Sequence, residues 1–338
     1  MKWTKTEQKQ LIIFALTAFG LPVLMGILMG LSFYQGNDVS VFSLAHMFYP
    51  ASGVMLALLF TKEKGQKLPL KFYFCFLVTA IFLIGTCIAS IFSPSLPWAI
   101  VSSYLILIFS ILCLILLLFE KKEVRTSYGL RFTRKKGSWF YVLLFFILYI
   151  FRLFIGCAVG GQMRELAEIF TDPATYSAMF ALIINFLFSY TAFFGEEYGW
   201  RYFFQPLLQK RFGLKAGVLL LGVLWGLWHL PLNIFFYSPD TWAASVIIQV
   251  ITCISFAIFF GFGYMKTENI WVPVMMHYIN NNMIAVISGV DSMSNQIIRW
   301  TDIPLSLLFN LVFIAFIFSK VFKKEPTVTH PASAQSSQ

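Results

Sequence analysis

Three short clusters of polar residues interrupt otherwise apolar sequence in the second half of the chain. They read Glu196-Glu197-Tyr198-Gly199-Trp200-Arg201, Trp225-Gly226-Leu227-Trp228-His229 and His277-Tyr278-Ile279-Asn280-Asn281. Ionisable groups within a bilayer are costly and mark function by default. On a helix, residues four apart share a face, so Glu197 and Arg201 can pair, as can Trp225 with His229 and His277 with Asn281. Glu196 and Glu197 point about 100° apart, which leaves Glu197 to Arg201 and Glu196 free for chemistry. A carboxylate in low dielectric is a better base, suited to deprotonating a water aimed at an amide carbonyl. Histidine shares protons or binds metal. Asn281 can donate to a developing oxyanion, an effect worth ~3 kcal/mol. The set describes water-mediated amide hydrolysis, and no Ser or Cys nucleophile stands beside a base in the sequence.

The elements that carry these residues are membrane helices. The 338-residue chain is 59% hydrophobic and 12% charged, against about 25% charged in ordinary globular domains, and its mean hydropathy is +0.77. This excludes a soluble globule, a disordered chain, collagen, a coiled coil and a disulfide scaffold. Ten apolar stretches run at about 11–33, 43–60, 72–93, 97–119, 139–159, 177–200, 214–233, 242–265, 270–288 and 304–320, near the ~20 residues a spanning helix needs. The expected fold is all-α, a polytopic bundle of about eight to ten membrane helices. Twenty-one of the 25 Lys and Arg residues fall in alternate connections. By the positive-inside rule both termini are cytoplasmic, so the +10 net charge records topology and nucleic acid is not an expected partner. The first stretch is too long for a signal-peptide core and reads as a retained anchor. Cys75, Cys87, Cys113, Cys157 and Cys253 lie in apolar stretches and read as packing residues. The organisation reads as N-terminal membrane helices of unassigned role over 1–160, a catalytic core over 177–290, a final membrane helix over 304–324 and a disordered cytoplasmic tail over 325–338.

Glu196 and His229 lie equally far from the turn between Phe212 and Gly213, so an unbroken antiparallel hairpin puts them at one height. Gly195 with Gly199 and Gly222 with Gly226 give the spacing that allows close helix approach. His277 matches that depth less obviously. Competing readings are a charged helix end for Glu196-Glu197, a hydrogen-bonded structural histidine for His229 and helix–helix bridging for His277 and Asn281. Trp225 and Trp228 read as packing, His46 and His330 as incidental. Arg152 has no partner evident in sequence. Arg164–Ser177 reads as an extracytoplasmic connector or amphipathic interfacial helix.

The three clusters together resemble the CAAX-protease and bacteriocin-processing (CPBP, or Abi) intramembrane proteases, marked by E-E-x-x-x-R, F-x-x-x-H and H-x-x-x-N in that order. The first and third match fully, and the second carries Trp225 in place of Phe. The resemblance covers about residues 177–290. It implies a glutamate-dependent protease whose cavity opens to the cytosol, with Glu196 and His229 activating water, His277 and Asn281 at the oxyanion, and Glu197 and Arg201 as support. Such proteins are often labelled metalloproteases. Glu196, His229 and His277 supply the residue types of a three-ligand zinc site, although no H-E-x-x-H is present. The expected partners are the lipid bilayer and a membrane-associated peptide or protein, whether a CAAX-type tail, a pheromone or a bacteriocin-like precursor. The expected location is a bacterial-type plasma membrane. The alternative is a non-proteolytic regulator, scaffold or bacteriocin-immunity protein that keeps the fold. No internal symmetry of the kind common in transporters is visible.

Overall fold

The computed structural model describes residues 2–132 and 137–323. The basic residues Arg134, Lys135, Lys136 and Lys324, together with His330 and the 325–338 tail, lie outside the described residues. Among the described residues every regular element is helical.

Ten long helices follow the ten apolar stretches. They are α1 (Lys5–Tyr34), α2 (Ser40–Phe60), α3 (Leu70–Phe92), α4 (Trp98–Phe119), α5 (Ser138–Gly160), α6 (Pro173–Phe212), α7 (Leu214–Tyr237), α8 (Pro239–Thr267), α9 (Trp271–Ser288) and α10 (Asp302–Phe318). The first eight are long and apolar enough to cross a membrane. The ninth falls short in hydropathy because it carries His277 and a run of asparagines, and the tenth in length. Large side chains such as Val23, Phe74, Phe119 and Ile183 are exposed. In a bilayer that outward apolar surface meets lipid, while the helical backbone satisfies its own polar groups.

Local sequence explains the helix ends. Thr4 and Glu7 form a reciprocal capping box at the start of α1, which satisfies amides a helix start leaves unpaired. Glu7 also takes Lys210 Nζ at 2.7 Å, tying that start to the end of α6. Asp172 accepts from the Ala174 amide at 2.8 Å, with Pro173 as the first residue of α6; a missing N–H costs nothing there. Gly213 turns the chain from α6 into α7 at φ +89°, a conformation L side chains rarely adopt.

α6 runs on for 40 residues and does not stop near residue 200. Gln205 and Gln209 are buried on this extension; Gln205 Nε2 donates to Gln209 Oε1 at 3.5 Å and Gln209 Nε2 to the Leu214 carbonyl at 3.1 Å. The connector before it holds a short helix, Met163–Thr171, with an exposed Arg164–Glu168 pair at 3.1 Å.

Packing places α6, α7, α8 and α9 around the polar clusters, with α7 against α8 and α6 against α9. The glycine pairs act here, but not between α6 and α7. A Cβ on Gly195 would strike the Met47 carbonyl, and one on Gly199 would strike Pro50. Those glycines admit the kink of α2. Gly222 and Gly226 instead admit the backbone of α8 at Ile254 and Val250.

Candidate active site

Glu196 and Glu197 end the first α-helical part of α6, π-helical turns follow over Tyr198–Phe204, and α-helix resumes over Gln205–Phe212. Pro206 comes next in sequence; its ring and missing N–H disfavour the α-helical bond in the turn before it. Wider turns of this kind recur at functional sites.

Glu196 is 2% exposed. Its Oε2 accepts from the Trp225 indole N–H at 2.8 Å and from the Trp200 indole N–H at 3.4 Å. Its Oε1 has no hydrogen-bond partner among the described residues. One carboxylate oxygen is therefore held and the other is unengaged.

Glu197 lies on the opposite side of that polarity. It is fully buried, and its Oε1 accepts from Arg201 Nη1 at 3.0 Å and from His277 Nδ1 at 2.8 Å. The four-residue spacing that predicts the Glu197–Arg201 pair is realised. The Arg201 guanidinium also lies over the Trp225 ring at 4.2 Å and the Phe260 ring at 5.1 Å, as a planar cation favours. Among the described residues Arg201 Nε and Nη2 and Glu197 Oε2 lack hydrogen-bond partners. Leaving such atoms buried costs stability.

His229 sits where α7 breaks. Its amide turns back to the Gly226 carbonyl at 3.2 Å, three residues earlier and not four. That frees the Trp225 carbonyl, which His229 Nδ1 takes at 2.8 Å. A carbonyl only accepts, so Nδ1 carries the proton and Nε2 of the neutral ring holds the lone pair. The Asn233 side chain donates to the His229 carbonyl at 3.0 Å, and Ser245 donates to Asn233 Oδ1 at 2.6 Å. The bond from His277 Nδ1 to Glu197 likewise leaves Nε2 as its outward nitrogen.

Glu196 and His229 share no hydrogen bond among the described residues. Trp225 joins them, with its indole on Glu196 and its carbonyl on His229. Packing alone does not describe Trp225, because it is a polar bridge at the centre of the site. Asn281 is half-buried and accepts from Asn280 at 2.9 Å; it makes no hydrogen bond to Glu196, His229 or His277 among the described residues.

Two residues join the site that sequence spacing did not single out. Trp200 stands four residues after Glu196, a visible signal. His46 is buried at 4% exposure and donates from Nε2 to the Trp228 carbonyl at 3.2 Å, so it is not incidental. Its signal is an ionisable side chain within an apolar stretch. Cys253 Sγ lies 4.0 Å from His229 Nδ1, but that nitrogen is already a donor and cannot take the thiol proton.

Among the described residues no group of three or more His, Cys, Asp or Glu side chains is placed to hold a metal ion. Glu196 Oε1 and the Nε2 atoms of His229 and His277 make no hydrogen bond among the described residues, and no step below passes through a metal.

Beside the break of α7 lies an apolar groove of about 520 Å³ lined by Gly26, Gly30, Leu227, Trp228, Pro231 and Phe235, among others. It runs between α1 and α7, and Trp228 separates it from His229.

Compared with known proteins, residues 173–283 match a family model described as Rce1-like, Type II CAAX prenyl endopeptidase Rce1-like. The match spans about a third of the chain and holds all three polar clusters. No curated protein and no solved structure matches the chain. Through residues 173–283 the chain is similar to the Rce1-like type II CAAX prenyl endopeptidases, in line with the CPBP/CAAX protease resemblance carried by its three motifs.

Proposed function

We propose that the protein is an intramembrane endopeptidase of CAAX type that hydrolyses a peptide bond with a water activated by Glu196. One observation carries this reading. Glu196 is a buried carboxylate with Oε2 fixed by two indole N–H groups and Oε1 unengaged. Such a group is pre-positioned and desolvated, which is what a general base in a low-dielectric site requires.

In the proposed step Glu196 takes a proton from water and the water oxygen attacks the scissile carbonyl carbon. The carbonyl π electrons move to oxygen. Collapse of that oxyanion breaks the C–N bond, and the proton passes to the leaving nitrogen. His229 Nε2, as an acceptor, orients the water or relays its proton. Asn281 is the neutral donor to the oxyanion. His277 Nε2 donates there only from a doubly protonated ring, since its Nδ1–H is given to Glu197. Glu197 and Arg201 hold His277.

The apolar groove between α1 and α7, on the far side of Trp228 from His229, supports a substrate that carries lipid or an apolar segment. The alternating basic connections support cytoplasmic termini and a site reached from the cytoplasm. The direct test uses purified protein in nanodiscs with an internally quenched, prenylated peptide ending in a CAAX sequence. Cleavage by wild type and its absence in Glu196→Gln support the reading. Equal cleavage by both proteins refutes the glutamate mechanism.

A further inference from the structure

His46 lies far from the three motifs in sequence, yet it touches the element that aims His229. At the break of α7 two carbonyls take side-chain donors. The Trp225 carbonyl receives His229's own Nδ1–H at 2.8 Å. The Trp228 carbonyl receives the Nε2–H of His46 at 3.2 Å. A carbonyl left unpaired in an apolar interior is costly, so each donor stabilises the broken geometry. Pro231, two residues beyond His229, prevents an unbroken helix from forming as the alternative.

The ring of His46 adds a second constraint. Its centroid is 3.8 Å from that of Trp228 and 6.2 Å from that of His229, and Trp228 meets His229 edge-on at 4.8 Å. Trp228 is held in turn through its indole N–H on the Ala18 carbonyl at 2.7 Å. His46 therefore closes a cluster of rings whose other end is His229. It also ends the first segment of α2, Ser40–His46, just before the kink that fits against Gly195 and Gly199 of α6. One short stretch of α2 thus contacts the helix of Glu196 and the broken turn of His229.

We propose that His46 is a positioning residue for hydrolysis: its bond to the Trp228 carbonyl and its tilted contact on the Trp228 ring fix the broken turn of α7, and with it the tautomer and aim of His229. This rests on the hydrolytic reading of the site. The role belongs to the N-terminal half of the chain, outside the segment matched by the family model.

Two variants separate the bond from the ring. His46→Gln places an amide N–H near the position of Nε2 and keeps the donor. His46→Phe keeps an aromatic ring and removes it. With the quenched prenylated CAAX peptide, His46→Phe is expected to lower kcat at least tenfold with KM within about twofold, and His46→Gln to recover most of kcat. The second readout needs no turnover. The chain has four histidines, so ¹⁵N-histidine NMR in nanodiscs, assigned by single substitutions, reports the His229 tautomer. The Nδ1–H form is expected in wild type and His46→Gln, and a mixture in His46→Phe. A His229 spectrum unchanged in His46→Phe overturns the proposal, as does wild-type kcat in that variant. If His46→Phe does not fold, failure of His46→Gln to keep the Nδ1–H form overturns it equally. Glu196→Gln keeps the two readings apart. If that variant cleaves like wild type, the hydrolytic reading falls, while the NMR result still decides what His46 does.

Discussion

The indole N–H of Trp225 donates to Glu196 Oε2 at 2.8 Å while the carbonyl of the same residue accepts from His229 Nδ1 at 2.8 Å. A single aromatic residue thereby sets the orientation of the proposed base and the tautomer of the proposed histidine partner. Only the first of these contacts depends on the side chain being Trp, and the family motif carries Phe at this position.

Trp225→Phe is accordingly expected to keep cleavage within about tenfold of wild type. The carbonyl bond to His229 persists, and the Phe ring still offers a face to Arg201. The lost bond to a charged acceptor is worth ~1.5–3 kcal/mol, so the variant should unfold at lower denaturant or temperature. A loss of activity as deep as that of Glu196→Gln would show the indole N–H to be part of the chemistry.

Arg201→Met leaves Glu197 as a buried carboxylate whose remaining partner is His277. Removing one member of a buried ion pair costs about 3–5 kcal/mol. The expected result is a sharp fall in the amount of folded protein recovered from membranes. Recovery and melting equal to wild type would mean that Glu197 and Arg201 do not support the fold as a pair.

Asn281→Ala separates chemistry from stability. The side chain is half-buried and bonded only to Asn280 among the described residues, so folding should change little. Loss of an oxyanion donor lowers kcat by about 10²–10³. Steady-state kinetics on the quenched peptide read this directly, and unchanged kcat would remove Asn281 from the mechanism.

Cys253→Ala tests the nearest competing nucleophile. The thiol is 4.0 Å from His229 Nδ1, close enough to invite a Cys–His mechanism, but that nitrogen already carries the proton it gives to Trp225. The variant should retain activity within a few-fold. Complete inactivation would favour thiolate chemistry over glutamate-activated water.

Much of this architecture was legible before the structure. Helix count followed from apolar runs, and the Glu197–Arg201 pair from a four-residue spacing, because both depend on local periodicity. What escaped was set by packing between distant segments. The glycine spacings on α6 and α7 were visible, but not that one pair faces α2 and the other α8. Trp225 read as packing because an aromatic side chain in an apolar helix has no local mark of its polar partner. His46 lacked any neighbouring motif, since its partner is a carbonyl 182 residues away beside the break at His229. The zinc reading drew on residue types alone, and among the described residues no group of three His, Cys, Asp or Glu side chains is placed to hold a metal ion.

The central claim is that Glu196 activates water for peptide-bond hydrolysis. It is tested most directly by comparing the membrane peptidomes of cells expressing wild type or Glu196→Gln at matched levels. Gln preserves shape and hydrogen bonding to the indoles but cannot take a proton from water. The account predicts that a set of peptides disappears in the mutant while their uncut precursors accumulate. Identical peptidomes, with any wild-type phenotype retained by Glu196→Gln, would contradict it and make the chain a non-proteolytic membrane protein on this fold.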